Sequence, residues 1–213
     1  MALFQDAGGD PRERLAAVLT FYGALGDAAA GNARGFAARK AGAAVAFARL
    51  AGFDAASCDA LAFAGMLHAV GAIGAAEAQR WDVPVLGARI CAEIPALPRE
   101  TAELVRAQSE RWDGTGFPDQ LRWDAIPLGA QLLLLAEIAL RQDDLEDALD
   151  IANVESGRSL SPEIAKIFAT WVRDAESVEP VRLPHSALRA GDGDADTLFE
   201  RIAAHVARAV AST

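Results

Sequence analysis

The chain has 213 residues, 52% of them hydrophobic, with four Trp and nine Phe. That length fits one domain of ordinary size with room for a small appendage, and the apolar content excludes disorder over most of it. Thirty acidic residues against 20 basic ones give a formal charge of −10, which argues against nucleic acid polymers as partners where no local basic patch is visible.

Taken in order, Asp10-Pro11-Arg12-Glu13 reads as a capping box with proline at the first helical position. Leu15, Val18, Leu19 and Tyr22 follow at helical spacing, predicting an amphipathic helix to about Ala28. A second helix is predicted over Ala33–Leu50, ended by Gly52. Asp54 caps a third, which runs through Leu61, Met66 and His68 to about Val70. Gly71-Ala72-Ile73-Gly74 breaks it, and a short helix is expected from Ala75 to Arg80. Val83–Ala92 forms a further helix, and Pro98 starts one ending near Arg111.

Pro127 opens a strongly apolar helix to about Arg141. Asp143 with Glu146 resembles a capping box, and Ser161-Pro162-Glu163 opens a helix through Ile167 and Trp171. No period-2 strand pattern is found, so the fold is expected to be all-α. From Glu176 to Asp196 the prolines and Gly191-Asp192-Gly193-Asp194 read as a linker or extended crossing. Thr197 to Val210 carries a last amphipathic pattern. The expected organisation is a helical domain over 1–175, a linker over 176–196 and a C-terminal amphipathic helix over 197–213.

Cys58 and Cys91 sit inside apolar helical patterns without a neighbour at metal-ligand spacing, as small core residues in a reducing compartment do. The N-terminus has no basic region before an apolar run, so no signal peptide is read and a cytoplasmic location is expected. Ala60–Ala76 and Leu128–Ala136 are short, or interrupted by Gly and His, and are read as buried helices instead of membrane spans.

One stretch is unlike the rest: Glu110-Arg111-Trp112-Asp113-Gly114-Thr115-Gly116-Phe117-Pro118-Asp119. Gly114 and Gly116 permit positive φ and Pro118 fixes its own φ, so the loop holds Trp112 and Phe117 in defined places. By spacing alone it is a helix-to-helix turn whose aromatics cover a core edge.

Together with Ala125-Ile126-Pro127-Leu128-Gly129-Ala130, this stretch resembles the HERWDGxGYP and IPLGAR signature of the HD-GYP domain. That is a bacterial branch of the HD phosphohydrolase superfamily that hydrolyses cyclic di-GMP. The resemblance covers roughly residues 15–172 and implies an HD-domain-like helical bundle, to which this chain adds its C-terminal helix. The retained Trp112-Asp113-Gly114-Thr115-Gly116-Phe117-Pro118 favours this branch over the related HDOD domains.

The departures concern metal ligands. Ala64–Gly74 is similar to the family's AGLLHDIGKIG, with His68 kept but Ala69 and Ala72 in place of the aspartate and lysine. Phe36 stands at the histidine of GHSERV and Val83 at the histidine of HPxxGAxI. Gln108 and Ser109 stand at the paired histidines before ERWDG, and Glu137 aligns with the final aspartate. By this comparison only His68 and Glu137, as vestigial positions, could still bind metal. A catalytic metal needs about three protein ligands and a di-metal centre needs more. The resemblance therefore implies a pseudoenzyme with no catalytic residue, no metal and no cofactor. His68 and Glu137 both point toward the core and are expected to hydrogen-bond each other.

In HD-GYP proteins the GYP region is associated with partner recognition, notably of GGDEF-type diguanylate cyclases. The implied function is a regulatory or protein-interaction module in cyclic di-GMP signalling. Arg111, Trp112, Asp113, Gly114, Thr115, Gly116, Phe117 and Pro118 form its partner surface. The alternative is a sensor that binds cyclic di-GMP or another nucleotide without cleaving it, with Arg106, Arg111 and Lys40 as phosphate contacts. A third reading, a phosphodiesterase with non-standard ligands from Gln108, Asp82 or Glu137, asks most of an apolar-substituted site. Oligomeric state stays open.

Overall fold

The computed structural model describes residues 10–73, 81–174 and 181–189, with Ala204 alone beyond them. Among the described residues every regular element is helical, as the patterns predict. In chain order they are α1 (Pro11–Ala29), α2 (Phe36–Leu50), α3 (Ala55–Met66), α4 (Asp82–Ala92), α5 (Thr101–Ala107), α6 (Leu128–Leu140), α7 (Leu145–Glu155) and α8 (Pro162–Asp174). Short 3₁₀ turns cover Val70–Ala72, Trp123–Ala125 and His185–Ala187. The expected helices at Ala75–Arg80 and 197–213, and most of the 176–196 linker, lie outside the described residues.

Helix starts follow local chemistry. Asp10 accepts from the Arg12 N–H at 2.9 Å with Pro11 in the first turn, and Asp54 accepts from the Ser57 N–H at 2.8 Å. At α7 the cap is one residue later than the sequence pattern suggests: Asp144, not Asp143, accepts from the Asp147 N–H at 2.9 Å. α5 is shorter than expected, because the chain turns at Gln108 and Glu110 N–H donates to the Ala107 carbonyl. α3 also stops early, at Met66, which places His68 in the turn beyond it and not on the helix.

α2 is the central helix, packed chiefly on α3 and α6, while α4 lies on α5 and α7 on α8. Its alanines permit this. Ala37, Ala41, Ala44 and Ala48 are all buried, and small side chains let the helix axes approach closely. The approach is close at Gly65 on α3, where an added Cβ would lie 2.6 Å from Ala41 Cα. Phe47, Phe168 and Trp171 close one end of the core with ring centroids 5.0–6.0 Å apart. Ala55–Ala72 is long and apolar enough to cross a membrane by composition, yet 72% of it is buried inside the fold, as a core helix would be. Val181 N–H donates to the Ala38 carbonyl and Arg189 N–H to the Ala96 carbonyl, so residues 181–189 cross from α2 toward the α4–α5 connection.

The Gly65–Ala41 approach carries a prediction. Gly65→Val should force α2 and α3 apart, costing about 1–3 kcal/mol, or roughly 5 °C in melting temperature for a domain of this size. A melt indistinguishable from the parent would show that the two helices are not in this contact.

Candidate functional site

A cavity of about 770 Å³ opens between the end of α1, the turn after α3, the start of α4, the loop after α5 and α6. His68, Ala69, Val83, Gln108, Ser109 and Glu137, drawn from distant parts of the sequence, all line it. These are positions the resemblance assigns to metal ligands, so the mapping made from motifs is one place in space. Phe36 lies beside them, its ring centroid 5.6 Å from that of His68.

His68 is buried. Its Nδ1 donates to the Gly65 carbonyl at 3.0 Å, which leaves Nε2 as an acceptor facing the Asn32 amide at 3.3 Å. Burial, reinforced by the nearby Lys40 charge, pushes its pKa from 6.5 down to about 3, so the ring is neutral. Asp27, at the end of α1, lies 3.9 Å from Nε2 and is also buried. Its other oxygen accepts from the Ala37 N–H at 2.8 Å. Asp27 thereby caps α2, whose own N-cap residue is Gly35, in the left-handed region with no side chain to offer.

The expected bond between His68 and Glu137 is not made, because Lys40 takes Glu137. Lys40 comes from α2, one turn beyond Phe36, and its side chain is fully buried. Its Nζ donates to Glu137 Oε2 at 2.8 Å and to Gln108 Oε1 at 2.9 Å. Gln108 in turn donates to the carbonyls of His68 at 2.8 Å and Val105 at 3.0 Å. The other Glu137 oxygen accepts from Arg141 Nε at 3.0 Å, one helical turn along α6. The Lys40 charge is the main reason the Glu137 carboxyl is held down at about 2. Arg141 lies over the Phe36 ring, 5.2 Å from its centroid, and reaches the Asn32 side-chain oxygen.

The residues present do not fit a divalent metal centre. Both Glu137 oxygens are held by cationic side chains, the His68 Nε2 lone pair is turned to an amide N–H, and Phe, Ala and Val offer no donor atom. Among the described residues no group of three or more His, Cys, Asp or Glu could hold a metal ion. Asp82, offered above as a substitute ligand, is not among the residues lining the cavity.

The aromatic loop is built on Glu110. Its carboxylate is buried and accepts the N–H groups of Asp119 at 2.6 Å and Leu121 at 3.0 Å. Gly116 is packed against that bend: an added Cβ would lie 2.3 Å from the Arg111 nitrogen. Arg106 pairs with Asp119 through two bonds of 2.7 Å, and Trp112 and Asp113 N–H donate to the Ser159 and Arg158 carbonyls. The Phe117–Pro118 peptide is cis. Arg111, Thr115 and Phe117 face the cavity, with Arg111 bonded to Glu155 at 2.9 Å and to Thr115 Oγ1 at 3.1 Å. Trp112, Asp113 and Pro118 are partly buried, Gly114 and Gly116 are buried, and of residues 111–118 only Thr115 is exposed. The most exposed aromatic side chain nearby is Trp123, just past the loop.

Of the three cations named for phosphate contact, only Arg111 lines the cavity. Arg106 is turned to Asp119, and Lys40 is sealed beneath Glu137 and Gln108. Sequence reasoning missed Asp27, Asn32 and Arg141. Arg141 could have been found from its i, i+4 spacing to Glu137; Asp27 and Asn32 have no such signal, because a turn brings them in.

Residues 28–140 match the model of a family described as HD domain. A cyclic di-GMP phosphodiesterase of Vibrio cholerae is 47% identical over 36 residues, 17% of this chain and 7% of that protein. The crystal structure of cyclic GMP-AMP-specific phosphodiesterases of Vibrio cholerae superposes with a TM-score of 0.71 at 16% identity, covering 92% of this chain and 60% of that one. This likeness shows the shared fold. The chain spans less than two thirds of either relative's length.

Two predictions follow from this geometry. Glu110→Ala leaves two backbone N–H groups without their acceptor, at about 1–3 kcal/mol each if they stay dry. Limited proteolysis should then cut the loop in the variant under conditions that spare the parent, and equal resistance would remove the clamp. The second concerns acid. The unfolded chain protonates His68 near 6.5 while the folded chain resists until about 3, so over that window the unfolded state binds more protons and stability falls as pH falls. Glu137 acts in the same sense from 4.5 down toward about 2, while Asp27, pushed up by burial, acts oppositely. Melting temperature should begin to drop below about pH 6.5. Comparison with His68→Asn isolates the His68 part: the variant should be flatter between pH 6.5 and 4.5, and parallel curves would refute the assignment.

Proposed function

The chain belongs to the HD domain family, and from that premise we propose that it is a non-hydrolysing member, a regulatory or protein-interaction module of cyclic di-GMP signalling. The observation that carries this reading is the buried Lys40 ammonium, 2.8 Å from Glu137 and 2.9 Å from Gln108. It stands among the positions from which a hydrolytic member would coordinate its ions. Metal-assisted hydrolysis needs a water activated by a cation with an open coordination position. An ammonium already bonded to a carboxylate and an amide offers none.

The partner surface in this reading is the loop Arg111–Pro118, and the partner is a protein, with a GGDEF-type diguanylate cyclase as the first to try. Rigidity supports the assignment: the loop is fixed by Glu110, by the Arg106–Asp119 pair and by backbone bonds to residues 158 and 159. A pre-ordered surface loses little entropy on binding. Trp112 and Phe117 supply the partly exposed ring area.

The second reading, a nucleotide sensor, is favoured by the size of the cavity, about 770 Å³, with Arg111 and Arg141 on its wall. Both guanidiniums are already engaged by carboxylates, Arg111 by Glu155 and Arg141 by Glu137, which weighs against their serving phosphates.

The test uses the full chain with Mn²⁺ and cyclic di-GMP. No hydrolysis is expected; turnover that scales with added metal would overturn the proposal. Trp112→Ala/Phe117→Ala should lose pull-down of a diguanylate cyclase while remaining folded, with binding at least tenfold weaker if both rings act as anchors. Retained binding would take the loop out of the interface. A thermal shift with cyclic di-GMP but no cleavage would establish the sensor reading instead.

A further inference from the structure

Glu137 is bonded to a different cation through each carboxylate oxygen: Oε2 to Lys40 Nζ at 2.8 Å, Oε1 to Arg141 Nε at 3.0 Å and Nη2 at 2.9 Å. One cation is wholly buried, and the other is about half exposed and rests on the ring of Phe36. A carboxylate between two positive centres is the arrangement a bridging ligand has in a two-ion site. Here both centres are tethered side chains. With Asp27 counted, the cluster holds two cations and two carboxylates, a balance that a buried polar group of this size requires.

We infer that Lys40 and Arg141 replace, as covalently tethered cations around Glu137, the charge-balancing role that metal ions have in hydrolytic members of the family. This rests on the non-hydrolysing reading above and adds to it what holds the cavity in shape. Without Lys40, Glu137 would lose its main charge partner, and Gln108, which fixes the carbonyl of His68, would lose its donor. With a tethered one the cavity wall is set by the sequence alone. Ion supply does not enter. Lys40 lies one helical turn after Phe36, so the substitution that removes a donor atom and the residue that supplies the new charge share one face of α2.

The asymmetry of burial designs the experiment. Removing the anion by Glu137→Gln strands a fully buried ammonium, and the melting temperature should fall on the order of 10 °C. Lys40→Met on the Glu137→Gln background should recover most of that loss, because the charge left without a partner is removed as well. The parent should be indifferent to EDTA and to excess Mn²⁺. Losses from Lys40→Met and Glu137→Gln that simply add would overturn the inference, as would an EDTA-sensitive parent. If Lys40→Met does not fold, Arg141→Gln paired with Glu137→Gln gives the same coupling from the exposed side. Hydrolysis by the parent would sink the functional reading; additivity sinks only the tethered-cation reading.

Discussion

The arrangement of this structure depends on a buried ammonium. Lys40 has no exposed side-chain surface, and a charge in that position must find its partners inside the protein or not be charged. Its partners are Gln108, just past α5, and Glu137 on α6. Three segments far apart in sequence are therefore held in one register, with distances set by bonds of 2.8–2.9 Å. Apolar packing of α2 on α3 and α6 tolerates small slides; a charge with two directional acceptors does not. The turn carrying His68 is drawn in through Gln108, which donates to the His68 carbonyl.

The loop after α5 continues the same chain of dependence. Gln108 anchors one end of the segment and Glu110, two residues on, folds the remainder around its carboxylate. Arg111, Thr115 and Phe117 then reach the cavity because Gly116 lets the backbone bend against itself at Glu110 and Arg111. Loop and cavity are one construction. A change at either should be felt at the other, a relation that a partner surface and a pocket on separate parts of the molecule would not have.

What could be read from the sequence was whatever repeats at a fixed spacing or matches an ordered motif. Helices with good caps, such as those begun by Asp10 and Asp54, were predictable because the cap and the first turn are adjacent. The convergence of His68, Val83, Gln108 and Glu137 was legible only through resemblance, since no local rule brings four helix ends together. The Lys40–Glu137 pair was not legible. Spacing can say which face of α2 Lys40 occupies but not what α6 presents opposite it, 97 residues later. The pairing read instead, His68 with Glu137, failed for a physical reason. A neutral imidazole is a weaker partner for a carboxylate than an ammonium that has nowhere else to go.

A cavity poor in donor atoms could be filled with larger apolar side chains at little cost. This chain does something different. It fills part of the space with Phe36 and then keeps a carboxylate at 137, supplying Lys40 and Arg141 to neutralise it. Glu137 is the informative residue, because its side chain is only 31% exposed and a carboxylate so placed is costly to keep without a partner. With two cations bonded to it, Glu137 ties α2 to α6 and Arg141 to Phe36. Glu137 is thus a bracket between helices. That bracket borders the cavity of about 770 Å³ and joins its wall to an otherwise closely packed core.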